Sequence, residues 1–415
     1  MSQRSLASTS VVRKCRITDS LAVALSLLVS AIAVPASAHE TLRLDKPKPN
    51  LAATPPMGWN SWNKFGCKIS EDIVRKQTDA LVTTGLKAAG YQYVIIDDCW
   101  QKNRDADGAI DMDRERFPGG IKALADYVHG KGLKFGIYSD AGVLTCGGRP
   151  GSAGYEFQDA RQYAKWGVDY LKYDWCHTGT RDAEAAYTIM AKALRESGRE
   201  VVLSVCEWGD NHPERWAAAV GHLWRTTGDT YDGWKGQRAY MFGFVDILDR
   251  QVDLWRYSGP NQWNDPDMLE IGNGGMTAVE YETQFSLWAM LAAPLIAGND
   301  LSAMTEDTLR ILGNRDVIAV DQDVLGQQAR RIWKEGELEI WARPLKGGAQ
   351  AVALLNRGSE PAEMRVSWEQ LNLPLSLLAE VKNLWSKKVA KKIHGGYGGK
   401  VVPHGVIMLR ITPEI

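Results

Sequence analysis

Leu171-Lys172-Tyr173-Asp174-Trp175-Cys176 is the stretch on which the reading of this chain turns. An apolar, β-prone run that ends on a lone carboxylate describes a buried strand with an acid at its tip. Leu223-Trp224-Arg225-Thr226-Thr227-Gly228-Asp229 repeats the pattern further along. Working outward from these two, the chain from Met57 to about Gly298 alternates short β-rich runs with longer runs of helical period. The strand candidates are residues 57–62, 93–97, 134–138, 170–173, 201–205, 222–226, 262–265 and 294–297. Amphipathic stretches at 71–84, 121–130, 157–165, 182–196, 241–255 and 280–292 supply the helices between them. Eight such units, spaced by about 30 to 40 residues with one shorter, predict a closed (β/α)8 barrel of about 250 residues. An open doubly wound sheet would call for a glycine-rich phosphate loop after the first strand, and Met57-Gly58-Trp59-Asn60-Ser61-Trp62 is not one.

After about Gly326 the texture changes. Short β-like runs at 330–333, 338–342, 351–355, 364–368 and 406–411 are separated by turn-like Gly347-Gly348, Asn356-Arg357-Gly358 and Gly395-Gly396-Tyr397-Gly398-Gly399. They predict an antiparallel β-sandwich of about 90 residues. It carries no concentration of carboxylates, so a structural role is expected rather than a sugar-binding one. The expected organisation is a signal peptide at 1–38, a linker at 39–50, the barrel at 51–326 and the sandwich at 327–415.

The signal rests on Arg13, Lys14 and Arg16 ahead of an apolar run from Leu21 to Val34, closed by Ala36-Ser37-Ala38. That run falls short of the roughly 20 residues a spanning helix needs, and no later segment reads as transmembrane. Without the leader, 45 basic residues face 49 acidic ones. With no basic cluster to attract it, nucleic acid is not an expected partner. Five cysteines remain, an odd number that allows at most two internal bridges. Cys67 with Cys99 and Cys146 with Cys176 join segments that the barrel makes adjacent, and an exported, periplasmic or secreted, location would preserve both bonds. Cys206 is left as a buried, inert thiol. The cysteines form no CxxC pair and the seven histidines are scattered, so zinc is not expected.

Polar and aromatic residues collect at the C-terminal end of nearly every strand candidate: Trp62, Asp97 and Asp98, Tyr138 and Asp140, Lys172 and Asp174, Glu207 and Trp208, Arg225 and Asp229, Asp265 and Asp267. In a barrel these ends surround one mouth, where the active sites of this fold lie. Asp140 and Asp265 read equally well as loop or cap residues. Two carboxylates on neighbouring strands suit cleavage of a glycosidic bond, one as nucleophile and one as acid/base. Asp174 suits the first role because Lys172 points to the same face and favours its ion. Asp229 suits the second, with a helix cap as the rival reading. The Asp97-Asp98 pair would accept the hydroxyls of a hexose or, alternatively, hold a metal. Trp62, Trp175, Trp208 and Trp263 are candidates for the flat wall that a sugar ring needs, although each alone could equally be core. The competing functions are a catalytically silent sugar-binding barrel and a metal-dependent hydrolase.

Met57-Gly58-Trp59-Asn60-Ser61-Trp62, Ile96-Asp97-Asp98-Cys99-Trp100, Phe135-Gly136-Ile137-Tyr138, Leu171-Lys172-Tyr173-Asp174, Cys206-Glu207-Trp208-Gly209, Arg225-Thr226-Thr227-Gly228-Asp229 and Trp263-Asn264-Asp265-Pro266-Asp267-Met268 resemble, in order, the successive motifs of glycoside hydrolase family 27. This is the melibiase-type family of α-galactosidases and α-N-acetylgalactosaminidases. The resemblance implies a (β/α)8 barrel with a C-terminal antiparallel β-domain and a retaining mechanism, with Asp174 as nucleophile and Asp229 as acid/base. It further implies that Trp62, Asp97, Asp98, Tyr138, Lys172, Glu207, Arg225 and Asp267 line a galactose pocket, with the two disulfides as paired above and with no cofactor or metal. The loop Cys206-Glu207-Trp208 is similar to the galactosidase pattern, where members accepting a 2-acetamido group carry small residues. Asp97 stands where members taking β-L-arabinopyranosides carry Glu. Both point to terminal α-galactosides, on oligosaccharides or galactomannan branches, as substrates. The chain departs from the family pattern at Cys206, which has no evident partner, and at Trp175, which is bulkier than the residue many members carry there.

Overall fold

The computed structural model describes residues 48–414; the expected leader and residues 39–47 of the expected linker lie outside the described residues. Eight parallel strands form one curled sheet: β1 Met57–Asn60, β2 Tyr93–Ile95, β3 Lys134–Asp140, β4 Tyr170–Asp174, β5 Val202–Cys206, β6 Leu223–Arg225, β7 Trp263–Asp265 and β8 Leu295–Ala297. They pair in the order β7-β6-β5-β4-β3-β2-β1-β8. The remaining seam, between β7 and β8, is joined by Leu269 just beyond β7: its N–H donates to the Ile296 carbonyl at 2.8 Å, and Gly298 N–H donates to the Leu269 carbonyl at 3.0 Å. The chain therefore forms the (β/α)8 barrel its periodicity predicts. Helices Glu71–Thr83, Ile121–Gly130, Glu156–Trp166, Ala183–Glu196, Ala217–Val220, Phe244–Arg250 and Ala278–Leu291 follow the first seven strands in turn.

The period of two along each strand sorts its residues into layers. Leu171 and Tyr173 on β4, like Val94 on β2 and Trp224 on β6, face outward into the core shared with the helices. Tyr93 and Ile95 of β2, Tyr170 of β4, Val202 of β5, Leu223 of β6, Trp263 of β7 and Ile296 of β8 face inward and form a separate apolar plug. Glycines on two strands make room for the plug: a Cβ on Gly58 would sit 2.7 Å from Tyr93 Cβ, and one on Gly136 2.6 Å from Ile95 Cγ1. The inward positions that follow on these strands include Asp97, Lys172 and Asp174, Ser204 and Cys206, and Arg225. The same alternation that seals the floor thus delivers charge to the mouth.

The single helix expected over 241–255 is not formed. Met241–Phe242 pairs antiparallel with Gln237–Arg238, Gly243 adopts an extended conformation, and the helix begins only at Phe244. Glycine here resists helix continuation, and Gly236 and Gly243 instead close a hairpin through Gly243 N–H to the Gly236 carbonyl at 2.8 Å.

The C-terminal strands are β9 Arg330–Glu335, β10 Leu338–Pro344, β11 Gln350–Asn356, β12 Ala362–Ser367, β13 Ala379–Asn383, β14 Val389–Ile393, β15 Gly396–Val401 and β16 Val406–Pro413. A six-stranded antiparallel sheet, β9-β10-β11-β16-β13-β14, packs with the pair β12-β15 to give the β-sandwich. The expected turn at 395–399 proves to be mostly strand. A Cβ on Gly398 would collide with the Met364 carbonyl and one on Gly396 with that of Val366, so these glycines serve close strand approach. β13 and β14 also escaped the sequence reading. Helix Ala278–Leu291 is buried almost throughout because the sandwich covers its outer side: Arg343 Nη1 donates to the Ala289 carbonyl at 2.8 Å, and Trp385 Nε1 to Ser286 Oγ at 2.8 Å.

Candidate active site

A cavity of about 1020 Å³ opens at the C-terminal ends of the barrel strands. Disulfides Cys67–Cys99 and Cys146–Cys176, each with Cα atoms 5.1 Å apart, tie the loops after β1 and β2 and those after β3 and β4 around it. Cys206 is free and buried at the end of β5.

Asp97, at the tip of β2, is enclosed by donors: its Oδ2 accepts from Asn60 Nδ2 at 2.7 Å and Lys172 Nζ at 2.9 Å, and its Oδ1 from Asp98 N–H at 2.9 Å. Asp98 accepts from the N–H groups of Cys99 and Gly147, both at 2.6 Å, yet burial still pushes its pKa up. These partners are those of anions held by protein dipoles and a lysine rather than those of a metal pair. Lys172 is paired with Asp97, not with Asp174, and lies 5.4 Å from the centroid of the Tyr138 ring.

Asp174, at the end of β4, is 6% exposed and accepts from Trp175 N–H at 3.0 Å. Burial drives its pKa upward; the Lys172 cation opposes this, while the charges of Asp229 and Asp97 add to it. Arg225, from β6, holds Asp229 Oδ1 at 3.0 Å and Asp267 Oδ2 at 2.9 Å with the same Nη2. Asp267 accepts in addition from Thr230 N–H and Met268 N–H, both at 2.8 Å, with its own φ at 86°. Asp229 caps no helix, since the next one begins at Phe244 behind Gly243; its side chain is 28% exposed and opens on the cavity.

Trp62, Asp97, Asp98, Tyr138, Lys172, Asp174, Trp208, Arg225, Asp229 and Asp267 all line this one cavity. Glu207 does not, and its expected place on the wall is corrected. It is wholly buried, and its carboxylate turns back into its own loop to accept from Gly209 N–H at 3.1 Å, Asn211 N–H at 2.6 Å and Asn211 Nδ2 at 2.7 Å. Burial pushes its pKa up to about 7. Trp263 belongs to the plug, with its indole N–H on the Ala52 carbonyl at 2.8 Å. Trp175 stacks on Tyr187 with centroids 5.6 Å apart, off the cavity wall, so its bulk is absorbed by the core. Asp140 and Asp265 are loop organisers. Asp140 accepts from Gly142 N–H at 2.7 Å and Cys176 N–H at 3.0 Å, and Asp265 from Asp267 N–H at 2.9 Å. Asp140 also lies close to Cys146 and Cys176, but both sulfurs are committed to the disulfide and leave no thiolate for a metal.

The sequence reading missed part of the wall. Asn63, Asp232, Tyr240, Phe242, Glu270 and Asn273 also line the cavity. Glu270 accepts from Asn63 Nδ2 and Asn273 Nδ2, each at 2.6 Å, and burial pushes its pKa up to about 8. A carboxylate shortly after the Asp265-Pro266-Asp267 motif was the available signal for Glu270; for Phe242 the helix-like period of 241–255 concealed it. Among the described residues lining the cavity, Tyr138 Oη, Arg225 Nε, Thr230 Oγ1 and Asn273 Oδ1 are buried without a hydrogen-bond partner in the protein. Buried polar groups normally find partners, so several orphans around one cavity suit a ligand rich in hydroxyls.

Comparison with known proteins gives the same picture along the whole described chain. The family model of α-galactosidase A matches residues 54–323, and that of the α-galactosidase C-terminal β-sandwich domain matches residues 335–411. The chain is 49% identical over 378 residues to α-galactosidase A of Cellvibrio japonicus, covering 88% of this chain and 93% of that protein. It is similar to the crystal structure of α-galactosidase I from Mortierella vinacea, with a TM-score of 0.85, 40% identity and coverage of 87% of this chain and 97% of that one. It is also similar to the structure of α-galactosidase from Saccharomyces cerevisiae with raffinose, with a TM-score of 0.84, 30% identity and coverage of 89% and 100%.

Proposed function

This chain belongs to the melibiase family of glycoside hydrolases, and we propose that it is an exported, retaining exo-α-galactosidase that removes terminal α-linked galactose from oligosaccharides or galactomannan branches. The observation that carries the reading is the convergence of Asp174 and Asp229, from β4 and the loop after β6, on one cavity furnished with hydroxyl-binding groups.

In the proposed first step, Asp174 attacks the anomeric carbon and the bond to the leaving oxygen breaks while Asp229 gives that oxygen its proton. The galactosyl group is then an ester of Asp174. In the second step Asp229 takes a proton from water, the water oxygen attacks the same carbon, and Asp174 leaves as a carboxylate. Two inversions leave the product as α-galactose. Asp97, Asp98, Lys172, Tyr138, Arg225 and Asp267 would hold the sugar hydroxyls. Arg225 also fixes Asp229, and Lys172 supplies the cation that favours the ionised nucleophile. Export is supported by the leader-like sequence before residue 39 and by two disulfides at the mouth; N-terminal sequencing of the mature protein would begin at His39.

The test is hydrolysis of 4-nitrophenyl α-galactoside in excess chelator, with NMR of the earliest product. Turnover with α-galactose appearing first is expected. β-Galactose appearing first would overturn the retaining assignment, and loss of turnover on chelation would favour a metal-dependent hydrolase.

A further inference from the structure

In a retaining glycosidase the proton donor lies beside the departing oxygen, so the chain that flanks the donor also flanks the leaving group. Phe242 N–H donates to the Asp229 carbonyl at 2.7 Å, and Tyr231 N–H donates to the Phe242 carbonyl at 3.1 Å. The 237–242 hairpin is thereby fastened to the backbone of the proposed acid/base. The contact is close: a Cβ on Gly228 would collide with the Tyr240 carbonyl and lie 2.9 Å from the Phe242 ring.

Its base is held rigidly. Gly236 N–H donates to the Asp246 carboxylate at 2.6 Å, and the Trp234 ring stacks on the His404 imidazole with centroids 4.5 Å apart and planes 12° from parallel. The turn passes through Ala239 at φ 54° and presents Tyr240 on the cavity wall with 64% of its surface exposed. A large ring displayed at the edge of a polar cavity, on a firmly held support, is the arrangement of a recognition surface. The cavity, at about 1020 Å³, also matches the upper end of the roughly 300–1,000 Å³ that accommodates drug-sized ligands, which is more than one hexose needs.

We propose that this hairpin, with Tyr240 as its contact surface, forms the subsite for the sugar unit on the leaving-group side of the scissile bond, the C–H face of that pyranose lying against the Tyr240 ring. The inference rests on the α-galactosidase reading and deepens it. It makes discrimination between galactosyl-oligosaccharides and simple galactosides depend on one exposed side chain.

The experiment compares kcat/KM for a galactosyl-oligosaccharide, raffinose or a galactosyl-mannotriose, with kcat/KM for methyl α-galactoside, whose leaving group is too small to reach the hairpin. For Tyr240→Ala the ratio of the two is expected to fall roughly 2- to 12-fold, the worth of one aromatic contact. Tyr240→Phe keeps the ring and is expected to restore the wild-type ratio. An unchanged ratio in Tyr240→Ala, or an equal fall in Tyr240→Phe, would overturn the subsite. Wild-type turnover of methyl α-galactoside tests the underlying reading separately, and its absence would overturn both.

Discussion

Asp174 in the barrel mouth and Glu339 in the C-terminal sheet are both buried carboxylates, and the chain treats them in opposite ways. Glu339 has no exposed side-chain surface and is surrounded: Arg357 at 2.8 Å, Arg331 and Lys334 at 3.0 Å, and Trp341 Nε1 at 2.9 Å. Burial pushes its pKa up, but these donors, Arg357 foremost, more than reverse the push and leave it below the usual range. Asp174 meets the same desolvation with one backbone N–H and a lysine already paired elsewhere, and its pKa stays raised. A completed network holds a fold together. An incomplete one retains unspent capacity to interact, and that is where chemistry is to be sought.

The comparison can be broken first at Asp174. Asp174→Asn is expected to cut turnover of any α-galactoside by about four orders of magnitude or more, with Tm unchanged or slightly raised in calorimetry. Asp229→Asn comes next. On melibiose, whose leaving sugar must be protonated, kcat/KM is expected to fall roughly 10²- to 10⁴-fold. On 4-nitrophenyl α-galactoside the loss in the bond-breaking step is smaller, because nitrophenolate departs without a proton. Equal losses on both substrates would remove Asp229 from the acid role.

Glu339→Gln reverses the pattern. Three cations lose their shared anion, so chemical denaturation is expected to show a loss of about 3 kcal/mol, the low end for a broken buried pair because Arg331 and Lys334 are partly exposed. Galactoside turnover by the folded variant stays near wild type. A variant of normal stability and lost activity would erase the distinction between the two regions.

The smallest effect is in pH. Burial raises Glu207 to about 7, Glu270 to about 8 and Asp265 to about 6. Groups whose folded pKa exceeds the unfolded value favour the fold at low pH, and that contribution is lost as pH rises through the folded values. His222, lowered to about 4 by burial, acts the other way, its contribution being lost as pH falls from about 6.5 toward 4. The carboxylates outnumber it, so Tm is expected to decline between about pH 6 and pH 8.5. A rise over that interval would contradict the raised pKa values of these buried acids.

How much of this was legible in the sequence follows from how local each signal is. The alternation in Tyr170-Leu171-Lys172-Tyr173-Asp174 encodes both the plug and the mouth, and the same period on the other strands located all eight staves. Charged strand ends were equally visible, because burying a carboxylate is costly enough to stand out. Loop-borne features were not. Glu207 sits within a family motif, yet its carboxylate is claimed by Asn211 four residues on, a choice made by loop geometry. The hairpin ending at Phe242 shares its apolar residues with the helix that follows, so periodicity merged the two. In the sandwich, Gly396 and Gly398 look like turn residues until the facing carbonyls of Val366 and Met364 are in place.

The most direct test of the account is to quench the enzyme in acid during turnover of a galactoside whose second step is slow, digest it, and locate the modification by mass spectrometry. The account predicts one hexosyl group, carried as an ester on Asp174. A hexosyl group on any other residue, or an unmodified chain while the product forms with inverted configuration, would contradict it.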